Sequence, residues 1–166
     1  MRLVPEGARK VAVVGASERW WRTEEQKEAA KSFIRELLSS FPPGAVLVTG
    51  GCPEGGVDVW AEEAADEFGV GKLVFRPEGR GWRHYRARNV LIAENCDVLF
   101  VIEPEGRRRS GGLWTARMAS RLGKPVIEVR IGPGGKVAVK PWRGRLKRGP
   151  AGQPPGRLCE RRPGCR

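Results

Sequence analysis

Three loops rich in small residues stand out in this chain: Gly15, Ala16 and Ser17; Thr49, Gly50 and Gly51 with Gly55, Gly56, Val57 and Asp58; and Ser110, Gly111 and Gly112. Glycine lets backbone N–H groups come close to an anion, and a helix N-terminus turns unpaired donors and a positive dipole end toward it. Singly, each loop is a turn signal. Three of them on one edge would form a phosphate cradle. Arg88, with Asn89 beside it, adds a guanidinium able to grip a phosphate through two parallel hydrogen bonds, although in an Arg-rich chain solvation is the default for such a side chain. Asp58 follows a glycine pair closely and has two readings, a cap on the next helix or a ligand contact.

Other polar and aromatic residues weigh toward plainer roles. Trp20 and Trp21 could stack on a base, but core packing of at least one is the expectation. Arg107, Arg108 and Arg109 form a charge run of the solvated kind, adjacent to a glycine pair where they could face a polyphosphate. His84, beside Trp82 and Tyr85, reads as a surface or packing residue rather than a general base. Cys52 has no base nearby in sequence to activate it.

The elements that must position these residues can be read from apolar patterning. Lys10 to Gly15, Ala45 to Thr49, Lys72 to Phe75, Cys96 to Glu103 and Pro125 to Ile131 are short apolar runs bounded by turn residues, as in strands buried on both faces. Between them lie stretches of helical period. One opens on Thr23 with Glu24, Glu25 and Gln26 behind it, the pattern of a capping box, and ends before Pro42 and Pro43. Others run from Val57 to Phe68, from Tyr85 to Glu94 and from Leu113 to Leu122, with Arg76 to Trp82 as a loop. Alternating strands and helices predict an α/β fold: a Rossmann-like three-layer sandwich with a mostly parallel sheet of about five strands and helices on both faces. In such a sheet the loops after the strands share the carboxyl edge, where ligands bind.

Net charge is +12 over 166 residues, which invites a nucleic-acid reading. Residues 132–166 hold ten Lys or Arg against one acid, so most of the excess sits there. The expected organisation is a nucleotide-binding domain over 1–131 and a basic Gly/Pro/Arg-rich tail over 132–166, largely disordered, with Lys136 to Lys140 hinting at an edge strand. Such a tail could bind nucleic acid without sequence preference and with steep salt dependence. With no apolar run of roughly 18 residues and no apolar leader, no membrane role and a cytoplasmic location are expected. Four cysteines without a CxxC pair and one histidine point to reduced thiols and no structural metal.

The segments VAVVGAS, VTGGCPEGGVDVWAEEAA, RARNVLIAENCDVLFVI and SGGLWTARMASRLGKPVIEV occur in the order and approximate spacing of the SLOG superfamily, which this chain resembles from about Lys10 to Ile131. That superfamily holds Rossmann-like nucleotide-binding proteins, among them cytokinin-activating phosphoribohydrolases, DNA-processing proteins and molybdenum-cofactor carrier proteins. The resemblance implies that Gly15, Ser17, Gly50, Gly51, Gly56, Asp58, Arg88, Asn89, Gly111, Gly112 and Thr115 surround a nucleotide-like or other phosphate-bearing ligand. A side chain at Gly111 or Gly112 should then obstruct binding. The phosphoribohydrolases carry a PGGxGTxxE motif, and here Met118 stands at the place of its glutamate. Methionine cannot exchange a proton, so the glycosidase role has no occupant there unless Asp58 or Glu62 reaches the same edge. A sensor or carrier of a nucleotide, nucleotide derivative or similar cofactor is the leading expectation, homo-oligomeric or not. A phosphoribohydrolase-like enzyme and a nucleic-acid-binding protein are the alternatives.

Overall fold

The computed structural model describes residues 3–143. The remainder of the expected tail, with Cys159, Cys165 and the nucleic-acid role assigned to that segment, lies outside the described residues. The chain runs β1 (Lys10–Gly15), a single 3-10 turn (Glu18–Trp20), α1 (Glu24–Ser39), β2 (Val46–Thr49), α2 (Val57–Glu67), β3 (Gly71–Val74), α3 (Trp82–Glu94), β4 (Val98–Pro104), α4 (Gly111–Arg121), β5 (Val126–Ile131) and β6 (Val137–Pro141). Six strands form one sheet in the order β3-β2-β1-β4-β5-β6, parallel except where β6 pairs antiparallel with β5. The fold is α/β with helices on both faces, a Rossmann-like sandwich, and the sheet has six strands rather than about five.

Continuous apolar runs lie at the centre of this sheet because both of their faces are covered. All seven residues of β4 are buried, and β1 is buried from Val11 to Val14. On one face α1 and α2 pack through Phe33, Ile34, Leu37, Trp60 and Ala61 against Val13 and Phe100. On the other, α3 and α4 pack through Ile92, Ala93, Leu113, Ala116 and Ala119 against Ala12, Leu99 and Val101. The alternation of side chains along each strand divides one apolar run between two cores.

The Thr23 N-cap ahead of α1 forms as the sequence predicts, while the reciprocal bond of the capping box falls one residue earlier, on Arg22 rather than Thr23. Thr23 accepts a hydrogen bond from the Gln26 N–H, and the Gln26 side chain reaches back to accept from the Arg22 N–H at 2.9 Å. Two boundaries fall elsewhere. Helix α3 begins at Trp82 instead of Tyr85, and α4 begins at Gly111 instead of Leu113, so the glycine pair is its first turn rather than its approach. The sheet also continues past Ile131 to Pro141, where β6 forms the edge strand hinted at by Lys136 to Lys140. This strand is exposed along its whole length, and Lys140 and Pro141 blunt it as an edge. No helix among the described residues is long and apolar enough to cross a membrane.

Candidate functional site

Strands β1 and β4 are neighbours, yet the chain leaves β1 toward α1 on one face and leaves β4 toward α4 on the other. Their connections diverge and open a crevice beyond the carboxyl ends, the switch point at which ligands sit in open α/β sheets. A cavity of about 170 Å³ occupies this place. The β1 loop contributes Gly15, Ser17, Arg19 and Trp20, and the β2 side contributes Cys52, Glu54 and Asp58. From α3 come Trp82, Tyr85, Arg88 and Asn89, while the β4–α4 connection and α4 bring Arg107, Ser110, Gly111, Gly112 and Thr115.

Eight of the eleven expected site residues thus share one cavity; Gly50, Gly51 and Gly56 are not among its walls. The reason differs from one glycine to the next. A Cβ on Gly15 would overlap the Ile102 carbonyl on β4, and one on Gly112 would lie 2.8 Å from Glu103 Oε1 and 3.0 Å from Gly15 Cα. These two glycines let α4 sit directly on β1 and β4. Gly56 has φ of 87° and packs against the Ala16 carbonyl, which joins α2 to the first loop. Gly111 alone has room, since a Cβ there would meet Asn89 Nδ2 at an ordinary 3.5 Å. The expectation that a side chain at Gly112 would block a ligand is therefore corrected: it would strike the protein's own core first.

The start of α4 borders the cavity with backbone donors. Ser110 is its N-cap, accepting from the Leu113 N–H at 3.0 Å and donating its hydroxyl to Glu103 Oε1 at 2.5 Å. The N–H groups of Gly111 and Gly112 have no intrahelical partner and, among the described residues, no other acceptor. Thr115 donates to the Gly111 carbonyl at 2.7 Å, so its hydroxyl secures the same turn.

Arg88 is 8% exposed and lies across the cavity wall. Its Nε donates to Asn89 Oδ1 at 2.7 Å and its Nη1 to the Gly50 carbonyl. These bonds hold the fork in place and leave Nη2 without a partner among the described residues. Asn89 in turn donates to the Gly111 carbonyl at 3.5 Å, linking α3 to the α4 start. Asp58, 6% exposed, lies 4.0 Å from Arg88 Nη1. The Cys52 and Gly50 backbone favours its ionised form, and Asp58 makes no capping bond at the start of α2. Burial outweighs the arginine and the backbone donors and pushes Asp58 up to about 6. Burial likewise raises the Cys52 thiol, which removes it as a ready nucleophile.

Glu103 was not singled out by sequence reasoning. It ends the most apolar strand, is fully buried, and is pushed above its usual range by burial. Its Oε2 has no hydrogen-bond partner among the described residues, with Arg107 Nη1 at 3.5 Å. The only signal available was an acid inside the run CDVLFVIE.

The remaining residues sort plainly. Trp21, 3% exposed, belongs to the core, whereas Trp20, 38% exposed, borders the cavity with Arg107 stacked 4.1 Å above its ring. Met118 packs against the α3–α4 core, Glu62 pairs with Arg76 and Lys72, and neither reaches the cavity. His84 lies against Gly79, outside the cavity wall. No protein-family model matches the chain, and no curated protein or solved structure does.

Proposed function

We propose that this chain binds a nucleotide, nucleotide derivative or similar phosphate-bearing small molecule at the β1–β4 switch point, as a sensor or carrier of the SLOG kind. One observation carries the reading: the open N–H groups of α4 and the buried, preset guanidinium of Arg88 border the same cavity. Both are donors suited to a phosphate, and the backbone bonds that fix Arg88 lower the entropy lost on binding. Asp58 supplies an acceptor for a ligand hydroxyl, and Tyr85 and Trp82 offer rings to a base. Calorimetric titration of a nucleotide panel into the protein tests this. Binding of at least one member with micromolar affinity is expected, and binding of none would leave a larger phosphate-bearing cofactor, molybdopterin for instance, as the next ligand to try.

A phosphoribohydrolase-like enzyme is the second reading, favoured by Asp58, a carboxyl pushed to about 6 in the cavity wall. It ranks lower because Met118 holds the place of the glutamate and packs in the core. Incubation with AMP is expected to release no ribose 5-phosphate above background; turnover near 1 per second, ordinary for an enzyme, would reverse the ranking.

A further inference from the structure

Glu103 presents a problem that phosphate binding alone does not answer. A fully buried carboxylate lies directly under the α4 start, where Gly112 rests on it, and an anion at the Gly111 and Gly112 N–H groups would add like charge close by. One oxygen is satisfied by Ser110, and the other has no hydrogen bond among the described residues. Arg107 is the cation nearest that oxygen, but at 3.5 Å it is beyond the 2.7–2.9 Å of a charge-assisted bond. It also lies over Trp20 and borders the cavity beside Ser110 and Gly111. Arg107 is thus placed within reach of both a buried carboxylate and an incoming anion.

Resting on the phosphate-binding reading, we infer that Arg107 is shared between the two: it neutralises Glu103 in the free protein and turns to the dianion of a bound ligand, while Glu103 takes up a proton. The other groups around Glu103 cannot take over its charge. Ser110 already donates to Oε1, and Gly112 lies against that same oxygen. Arg130 on β5 also favours the ionised form but stays beyond ion-pair distance, with Nη1 spent on the Pro104 and Arg107 carbonyls and Nε on Glu128. Asp58 on α2 adds further negative charge. A carboxylate stripped of Arg107 in this setting is left buried and unpaired, and protonation is the cheaper state. The proton comes from solvent, and the covalent structure of the ligand is unchanged.

The test uses inorganic sulfate, which stays a dianion across the range, titrated into the full chain from pH 5.5 to 8.5. Affinity is expected to fall by up to about tenfold per pH unit over part of that range, the linkage slope for one proton taken up. Glu103→Gln should flatten this slope, and Arg107→Gln should both weaken binding and flatten it, because Glu103 then has no cation to lose. Asp58→Asn should keep the slope, which excludes Asp58 as the proton acceptor. Calorimetry in buffers of different ionisation enthalpy should show proton uptake in wild type and none in Glu103→Gln. Sulfate binding that is independent of pH, or a slope that survives in Glu103→Gln, would overturn the inference and leave the binding reading standing. No binding of sulfate or of inorganic phosphate by wild type would overturn both.

Discussion

Helices α2 and α4 both begin at the carboxyl edge of the sheet beside a glycine pair, which precedes α2 and forms the first turn of α4, and in sequence the two starts look alike. Their first backbone donors are used in opposite ways. At α2 the Val57 N–H donates to the Ala16 carbonyl at 3.1 Å, and the buried Asp58 carboxylate one residue on lies near the Gly50 and Cys52 backbone. The protein's own backbone takes the first donor of this helix. At α4 only Leu113 is capped by a side chain, and the first two donors stay open toward the cavity. A glycine pair at a helix start therefore marks close backbone approach in both places, while the first donor is spent on the protein's own backbone at α2 and left open at α4.

The sharpest way to break this comparison is to put a side chain where the backbone leaves no room. Gly15→Ala would drive a methyl into the Ile102 carbonyl, and Gly112→Val would strike Glu103 and Gly15. Each is expected to cost on the order of 3 kcal/mol or more, or to prevent folding, as read from denaturant unfolding. Near-wild-type stability in either would mean that α4 does not rest on β1 and β4 in this way.

The α2 start carries a pH signature of similar size. Asp58 holds its proton more tightly in the folded chain, about 6, than at its ordinary 3.8. Its contribution to stability is fully present below pH 4 and is lost as pH rises through 6. The loss amounts to about 3 kcal/mol, from about two pKa units at 1.36 kcal/mol each. Unfolding measured from pH 4 to 7 should show this decline in wild type relative to Asp58→Asn. Parallel curves for the two proteins would mean that Asp58 stays solvated and ionised.

Arg88 bridges the two regions, bonded to the Gly50 carbonyl on one side and joined through Asn89 to Gly111 on the other. Arg88→Ala is expected to weaken nucleotide binding tenfold to hundredfold, about 1.5 to 3 kcal/mol for a charge-assisted contact, with thermal unfolding confirming that the variant is folded. Unchanged affinity in a folded variant would reduce Arg88 to a strut for the Gly50 loop.

The smallest effect on stability is expected at Gly111, where a methyl meets only ordinary contacts. Gly111→Ala should stay within about 1 kcal/mol of wild type, since Ala is the better helix former, and should still weaken phosphate binding by crowding the open donors. Intact binding in that variant would show that the α4 start is not where the anion sits.

How much of this was legible beforehand follows from what each residue's neighbours in sequence can report. The strands and the Thr23 cap follow from local patterning, because buried strands and N-caps are written in consecutive residues, whereas the grouping of Arg88 with the Gly111 loop follows from the resemblance alone. The start of α3 was missed by three residues because its N-cap is Gly81, which has no side chain to announce it. Strand β6 was assigned to the tail because Gly132, Pro133, Gly134 and Gly135 read as loop, and its pairing with β5 is the contact that makes it a strand.

By itself the sequence determined the class of fold and the edge on which the small-residue loops meet, since apolar period sets the elements and parallel crossovers put their loops on one side. Only the tertiary structure decided which glycines make room for backbone and which face the cavity, and that Asp58 is buried at one helix start while Glu103 lies beneath the other. Those outcomes depend on contacts between β1, β4 and α4, elements up to about a hundred residues apart in the chain. Close packing and burial at such distances leave no periodic trace in a single sequence, because they are properties of the space between elements rather than of any one of them.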